Sequence, residues 1–282
     1  MVNGLYNGLD NGLQKGEYNG QRNGLDLGMF DNETVIKKQV IQENLQLYLD
    51  FSNPRCYNFG RGQIGDTVSN LVAGSTKKLT IGNLTGRTTA NAPYVEYNPI
   101  PYWNNYTLNG VGQNYLTSPN NTDFDIGLNG LTVSMWVNTV TTLAQFDIFI
   151  CKSLAGSVTG RWQLYSTLPM QLAFFIQTSA GITAISSGDN ALVINKWQYI
   201  TIVFNRITGI KLYVNNVELQ AFSINTVGEN LTVNRPFRVG THSDNIGQNA
   251  RFKTNYITLY NRALTLDELT YNYETTKAFM KV

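Results

Sequence analysis

Charged residues are scarce in this chain of 282 residues, because they make up 14% of it and leave a formal net charge of +2. The chain has no run of Lys and Arg that could neutralise phosphates, so we expect no nucleic acid partner. No stretch approaches about 18 consecutive apolar residues. The first 30 residues carry Asn and Gly where a secretory signal would carry an apolar core. We therefore expect no membrane partner, and we see no secretory signal.

Cysteine and histidine are nearly absent. Cys56 and Cys151 lie far apart, and neither has the spacing of a zinc site or a redox motif. We interpret them as free thiols, with a disulfide as the alternative. His242 is the single histidine, so a Ser-His-Asp or Cys-His mechanism would have to use it. It stands beside Asp244 and Asn245 in the turn sequence GTHSDN, which predicts a solvated loop histidine.

Runs of β-branched and aromatic residues, separated by Asn, Gly, Asp and Pro, are abundant from residue 45 onward. They predict strands at 45–51, 131–140, 146–152, 161–167, 171–178, 182–187, 197–205, 211–222, 236–241 and 256–264. Short strands at this spacing, without long helices between them, predict an all-β, antiparallel jelly-roll sandwich. Asn215-Asn216 predicts a tight hairpin turn. Trp136, Trp162 and Trp197 lie in these strands, and we expect them in the core.

Two helices are predicted outside the strands. Residues 31–44, DNETVIKKQVIQEN, follow an Asp or Asn cap with good helix formers and predict a linker helix. Thr265 and Glu268 have the spacing of a capping box and predict a closing helix. The sequence thus divides into an arm at 1–30, this linker helix, and a domain at 45–282.

Several segments resemble the concanavalin A-like, laminin G-like jelly-roll family. They are LYLDFSNPRCYNFG (47–60), LTVSMWVNT (131–139), WQYITIVFNRITGIKLYVNNVEL (197–219), FRVGTHSDN (237–245) and FKTNYITLYNRALTLDEL (252–269). The first of them is similar to the versions found in phage and large-virus structural proteins. The resemblance covers about residues 45–270 and implies the fold, but one fold hosts unrelated functions.

The resemblance allows a glycan site on the rim loops. Aromatic side chains that stack on sugars would lie on loops, and the candidates in NPIPYWNNYTLNG are Tyr102, Trp103 and Tyr106. Packing within the loop or contact with another subunit is the alternative. We add the turn residues His242, Asp244 and Asn245 as contact candidates.

The resemblance also raises the question of calcium, which laminin G-like domains often hold with loop oxygens. The candidate ligands are Asp123, Asp125 and Asp189. The Asp-Gly and paired aspartates usual in the family are replaced by Asn109-Gly110 and Gln113-Asn114. We therefore expect no cofactor, with calcium as the alternative.

Glycoside hydrolysis on this fold needs two facing carboxylates, which the glucanase relatives supply from a Glu-x-Asp-x-x-Glu strand. No Glu in this chain has a carboxylate two residues later. We expect no catalytic residues and no enzyme activity.

Glycine recurs at every fourth position near the N-terminus, at Gly4, Gly8, Gly12, Gly16, Gly20, Gly24 and Gly28. Collagen needs glycine at every third position, and this much glycine disfavours a helix. Asn-Gly pairs favour successive turns that carry Leu5, Leu9, Leu13 and Leu25 in a row. Such a segment cannot repay its ordering entropy alone, so we expect a partner to hold it.

The leading functional hypothesis is a non-enzymatic virion structural protein, namely a capsid-associated, decoration, tail or fibre component assembled in the host cytoplasm. Its N-terminal arm would anchor it to other virion subunits or to copies of itself as a homo-oligomer. Its jelly roll would be exposed to other subunits or to a host surface. The alternative is a carbohydrate-binding, lectin-like module that recognises cell-surface glycans.

Overall fold

The computed structural model describes residues 39–57, 66–83, 94–97, 100–104, 114–153, 158–242 and 250–280. The whole arm, residues 31–38 of the linker helix, Tyr106, Asp244 and Asn245 lie outside the described residues. All described residues lie within one compact unit, Gln39–Val282.

The strands, in chain order, are β1 (Leu45–Asp50), β2 (Thr67–Ser69), β3 (Lys78–Asn83), β4 (Tyr94–Tyr97), β5 (Pro101–Asn104), β6 (Asn114–Thr117), β7 (Leu131–Thr139), β8 (Asp147–Lys152), β9 (Trp162–Thr167), β10 (Gln171–Thr178), β11 (Gly181–Ser186), β12 (Trp197–Asn205), β13 (Gly209–Val214), β14 (Val217–Phe222), β15 (Arg238–Val239) and β16 (Phe252–Tyr260). They are followed by one helix, α1 (Leu266–Met280). The predicted strands are present, although the predicted segment 236–241 shortens to two residues and the last strand ends at Tyr260.

Two antiparallel, eight-stranded sheets form the sandwich. Sheet 1 has the order β14-β13-β12-β7-β16-β5-β4, and β1 pairs with β16 beside β5. Sheet 2 has the order β11-β10-β9-β8-β15-β6-β3-β2. Their facing sides bury one continuous apolar core, because alternate side chains of each strand point inward. The expected antiparallel jelly-roll sandwich is confirmed.

Helix α1 begins where the sequence predicts it. The backbone N–H of Thr265 donates to Glu268 Oε2 at 2.9 Å, and the N–H of Glu268 donates to Thr265 Oγ1 at 3.3 Å. This reciprocal pair is the predicted capping box. The helix packs on the outer face of sheet 1, where Trp136 Nε1 donates to Thr276 Oγ1 at 2.8 Å.

The described part of the predicted linker helix is not helical, and this prediction is wrong for residues 39–44. Val40 is buried against sheet 1, and the N–H of Ile41 donates to the Asn272 side chain of α1 instead of to a helical carbonyl. Asn44, with φ of 59°, then turns the chain into β1. Tertiary contacts therefore override the local helix propensity.

Candidate ligand-binding cleft

A cleft of about 260 Å³ opens on the outer face of sheet 1, between the β12–β14 strands and the segment that leads into α1. Its apolar walls are Val203, Ala263, Leu264 and Leu266, and its polar side chains are Asn205, Thr208, Lys211, Tyr213, Glu218 and Thr265. A concave apolar surface with a few converging polar groups is the usual form of a small-ligand site. The volume lies just below the range of about 300–1,000 Å³ for such sites, which suits a ligand of one ring.

The β13–β14 hairpin places the polar groups together. Lys211 and Tyr213 are two residues apart on β13, so they share the outer face. Tyr213 pairs with Glu218 across the hairpin. The turn between them has Asn215 and Asn216 at φ of 50° and 64°, which is the tight turn that the sequence predicts.

Lys211, Tyr213 and Glu218 form one hydrogen-bonded group. The Lys211 ammonium lies 2.8 Å from Glu218 Oε2, and the Tyr213 hydroxyl donates to the same oxygen at 3.0 Å. The hydrogen bond from Lys211 lowers the pKa of Glu218 below its usual value, while burial and then Glu218 raise the pKa of Tyr213. At neutral pH Glu218 is therefore a carboxylate and Tyr213 a protonated phenol.

This group keeps hydrogen-bonding capacity for a ligand. An ammonium has three donors, and Lys211 uses one of them on Glu218. Asn205 Oδ1 accepts from the backbone N–H groups of Ile207 and Thr208, while its amide nitrogen donates to nothing within the described part of the chain. The side chains of Lys211 and Glu218 are 46% and 42% exposed, so a ligand can reach both charges.

Gly209 at the end of the cleft is required for the geometry. Its φ is +106°, and a Cβ there would lie 2.0 Å from the carbonyl oxygen of Phe222. The close approach of β13 to β14 therefore depends on the absence of a side chain at this position.

The residues that line the cleft lack the carboxylate pair of a glycoside hydrolase. Among the residues that line it, all within the described ranges, Glu218 is the only carboxylate. Glycoside hydrolysis needs a second carboxyl group across the sugar, about 5–9.5 Å away. The cleft therefore has no acid and nucleophile pair.

The predicted loop position of Tyr102 and Trp103 is corrected by the structure. Both lie on β5 and are buried, with Trp103 at 0% exposure. Trp103 packs in the core against Phe51 and Phe252, with ring centroids 6.1 and 6.4 Å apart. Neither ring offers a face to a sugar in this structure, because pairing with β16 draws β5 into sheet 1.

His242 is also placed differently from the expectation, since it is 4% exposed and not solvated. Its carbonyl oxygen accepts a hydrogen bond from Arg238 Nη1 at 2.9 Å, next to the short strand β15. The predicted rim site of aromatic and turn residues is therefore not assembled from the described candidates.

The predicted metal ligands do not come together as a site. Asp189 is tied to Gln171 Nε2 at 2.5 Å. Asp123 and Asp125 lie in another loop, beside the buried Lys152, and Lys152 Nζ is 2.7 Å from Asp125 Oδ1. Within the described ranges, no group of three His, Cys, Asp or Glu side chains could hold a metal ion. Cys56 and Cys151 are both buried, and neither forms a disulfide within the described residues.

The sequence reasoning missed the cleft, although one signal was available. The Asn215-Asn216 turn alone implies that Tyr213 lies opposite Glu218 and that Lys211 shares their face. The other wall, Ala263–Leu266, is remote in sequence and carries no such signal. No helix in the described ranges is both long and apolar enough to span a membrane.

Comparisons with known proteins agree on the fold. A laminin G-like family model, described as the concanavalin A-like lectin/glucanases superfamily, matches residues 109–270, more than half of the chain. The comparison with curated protein sequences found no match.

Similar solved structures include three structures of two toxin binding domains. The binding domain of Paraclostridial Mosquitocidal Protein 1 is 17% identical with a TM-score of 0.54, over 84% of this chain and 53% of that chain. The binding domain of Botulinum neurotoxin DC in complex with rat synaptotagmin II is 13% identical with a TM-score of 0.56. The match covers 84% of this chain and 52% of that chain. The same domain in complex with SialylT is 13% identical with a TM-score of 0.55. The match covers 84% of this chain and 52% of that chain.

The chain spans about half the length of these toxin domains. At these identities the likeness shows the fold alone.

Proposed function

Because the chain belongs to the concanavalin A-like lectin/glucanases superfamily, we propose that it is a non-enzymatic binding domain and that the cleft beside Lys211 and Glu218, the Lys211–Glu218 cleft, binds a carbohydrate. The observation that carries the proposal is the charged pair in a cleft of about 260 Å³ that has both apolar and polar walls. A sugar hydroxyl both donates and accepts hydrogen bonds, so it can bridge an ammonium and a carboxylate.

The neutral balance of the pair favours a neutral sugar. Lys211 and Glu218 cancel each other's charge, so the cleft attracts neither an anion nor a cation strongly. The apolar walls suit the C–H faces of a sugar ring, and Asn205 and Thr208 add polar contacts beside them. A domain of this fold, the binding domain of Botulinum neurotoxin DC, forms a complex with SialylT, so the fold itself is compatible with a carbohydrate ligand.

The test is a glycan array on the full chain, followed by calorimetric titration of the sugar that binds. We expect Lys211→Met and Glu218→Gln to weaken binding about 10- to 100-fold, because a hydrogen bond to a charged group contributes about 1.5–3 kcal/mol. The same sugar should not be cleaved, since the cleft has one carboxylate.

Two matched variants control for the loss of charge. Lys196→Met removes an exposed lysine from the loop before β12, and Glu274→Gln removes an exposed carboxylate from α1. Both should bind like the wild type. The proposal would be contradicted if no sugar on the array binds, or if the control variants lose as much affinity as Lys211→Met and Glu218→Gln.

We propose a second role, compatible with the first, as a virion structural protein anchored by its N-terminal arm. The specific observation is the glycine at every fourth position from Gly4 to Gly28. Glycine loses the most conformational freedom on ordering, so a partner surface has to stabilise such an arm.

Deletion of residues 2–28 tests this role. We expect the truncated protein to keep the circular dichroism spectrum and melting temperature of the full chain, but to be left out of its assembly. Incorporation at the wild-type level, measured by co-sedimentation with assembled particles, would refute the anchoring role.

A further inference from the structure

Lys152, the last residue of β8, carries an ammonium group into the interior of the sandwich. Its side chain is 0% exposed, and Nζ lies 2.7 Å from Asp125 Oδ1. Nζ also donates to the backbone carbonyl of Asp123 at 2.6 Å. A buried charge is expensive unless it is paired and hydrogen-bonded, and Lys152 satisfies both conditions with oxygens of one loop.

The oxygens around Lys152 are of the type that calcium binds, a carboxylate and a backbone carbonyl. A second carboxylate oxygen, Asp123 Oδ2, is buried and accepts no hydrogen bond within the described part of the chain. Asp123 and Asp125 are the same residues that the sequence nominates as metal ligands. The loop therefore has the anionic character of a cation site.

The loop also needs a positive charge to hold its position. Asp125 Oδ1 accepts the N–H of Val233 at 3.2 Å, so the carboxylate joins the β6–β7 loop to the segment before β15. A bridge between Gly127 and Leu231 continues this contact. Between the two aspartates, Phe124 has φ of 61° and buries its ring against Phe237, with centroids 4.8 Å apart. Neutralising Asp125 at this point stabilises a contact between two distant segments.

A calcium ion does not fit beside this ammonium. It would need six to eight oxygens and would stand next to the positive charge of Lys152. Lys77, whose ammonium lies 5.2 Å from the Phe124 ring centroid, adds a second positive charge nearby. The calcium that laminin G-like domains often hold does not suit this set of residues.

We propose that the Lys152 ammonium is the built-in cation of the Asp123–Asp125 loop, in the position that a divalent cation would otherwise take. The wild-type domain is then stable without calcium. Removal of the ammonium leaves the carboxylates of Asp123 and Asp125 uncompensated and turns the loop into a site for a divalent cation.

The experiment compares the melting temperature of the full-length wild type, Lys152→Met and the control Lys77→Met, each in EGTA and in calcium at about 1 mM, the affinity range of weak protein sites. We expect calcium to leave the melting temperature of the wild type unchanged relative to EGTA, and the same for Lys77→Met. Lys152→Met should melt about 10 °C lower in EGTA. Calcium should restore part of that loss, and terbium luminescence should appear with this variant alone.

Calcium that raises the melting temperature of the wild type would overturn the proposal. So would a Lys152→Met variant whose melting temperature does not respond to calcium. If Lys152→Met does not fold in either buffer, the same comparison with Lys152→Gln decides, because the amide keeps two donors for the loop oxygens. None of these readouts involves the Lys211–Glu218 cleft, so their outcome does not bear on carbohydrate binding there.

Discussion

Trp103 stands among Pro, Tyr and Asn residues in a polar stretch, yet its side chain is entirely buried. The reason is its partner Thr254 on β16, about 150 residues later in the chain. Once β5 pairs there, the indole faces the core and meets Phe51 and Phe252. At the scale of single residues, a long-range pairing thus decides whether an aromatic side chain packs or binds.

Trp103→Ala should therefore act on stability and not on ligand binding. Removing a large buried ring costs about 3–5 kcal/mol of unfolding free energy, since a cavity remains. Urea denaturation measures this loss. Tyr271→Ala, at a 41% exposed position of α1, is the control and should cost less than about 0.5 kcal/mol.

One outcome for Trp103→Ala would instead support the role in glycan binding that the sequence predicts. That outcome is wild-type stability together with lost affinity on the glycan array.

At the scale of elements, the start of α1 combines a cap and an ion pair. Glu268 closes the capping box with Thr265, and it accepts two hydrogen bonds from Arg262, at 2.8 and 2.6 Å. The hydrogen bonds from Arg262 lower the pKa of Glu268 from 4.5 to about 2. Arg262 also donates to the carbonyl of Glu43 at 3.3 Å, so the cap ties the helix to the turn before β1.

The sign of the pH dependence follows from this lowered pKa. The unfolded chain binds a proton at Glu268 near pH 4.5, and the folded protein does so near pH 2. The stabilisation is therefore complete above pH 4.5 and is lost as the pH falls toward 2. We expect Glu268→Gln to lower the free energy of unfolding by about 1–2 kcal/mol at neutral pH, with a difference that shrinks over this acidic range.

Denaturant titrations of the wild type and Glu268→Gln between neutral pH and pH 2 measure that difference. Glu274→Gln, on an exposed part of the same helix, should show little difference at any pH. A Glu268→Gln difference that stays constant with pH would contradict the ion-pair explanation.

At the scale of the whole molecule, the two faces of sheet 1 make different contacts. The inner face builds the core with sheet 2, while the outer face receives α1 and, beside it, leaves the Lys211–Glu218 cleft open. The cleft lies where the β13–β14 hairpin meets the Ala263–Leu266 segment. Its position depends on the capped start of α1, so the stability of that start also bears on ligand binding.

Local patterns in the sequence were sufficient for the fold class, the positions of most strands, the Asn215-Asn216 turn and the cap of α1. These features depend on residues that are close together in the chain, and their signals survive in a single sequence. Half of the cleft, the Lys211, Tyr213 and Glu218 group, follows in principle from the same hairpin.

Only the tertiary structure decided the rest of the site. Whether Trp103 is buried, whether Asp125 meets Lys152 or a metal ion, and which segment closes the cleft all depend on contacts between distant parts of the chain. Alternation along a strand shows which residues share a face, but it does not show what lies across that face. Sequence alone therefore determined the sandwich, and the packing of its strands, loops and helix determined where this protein can bind.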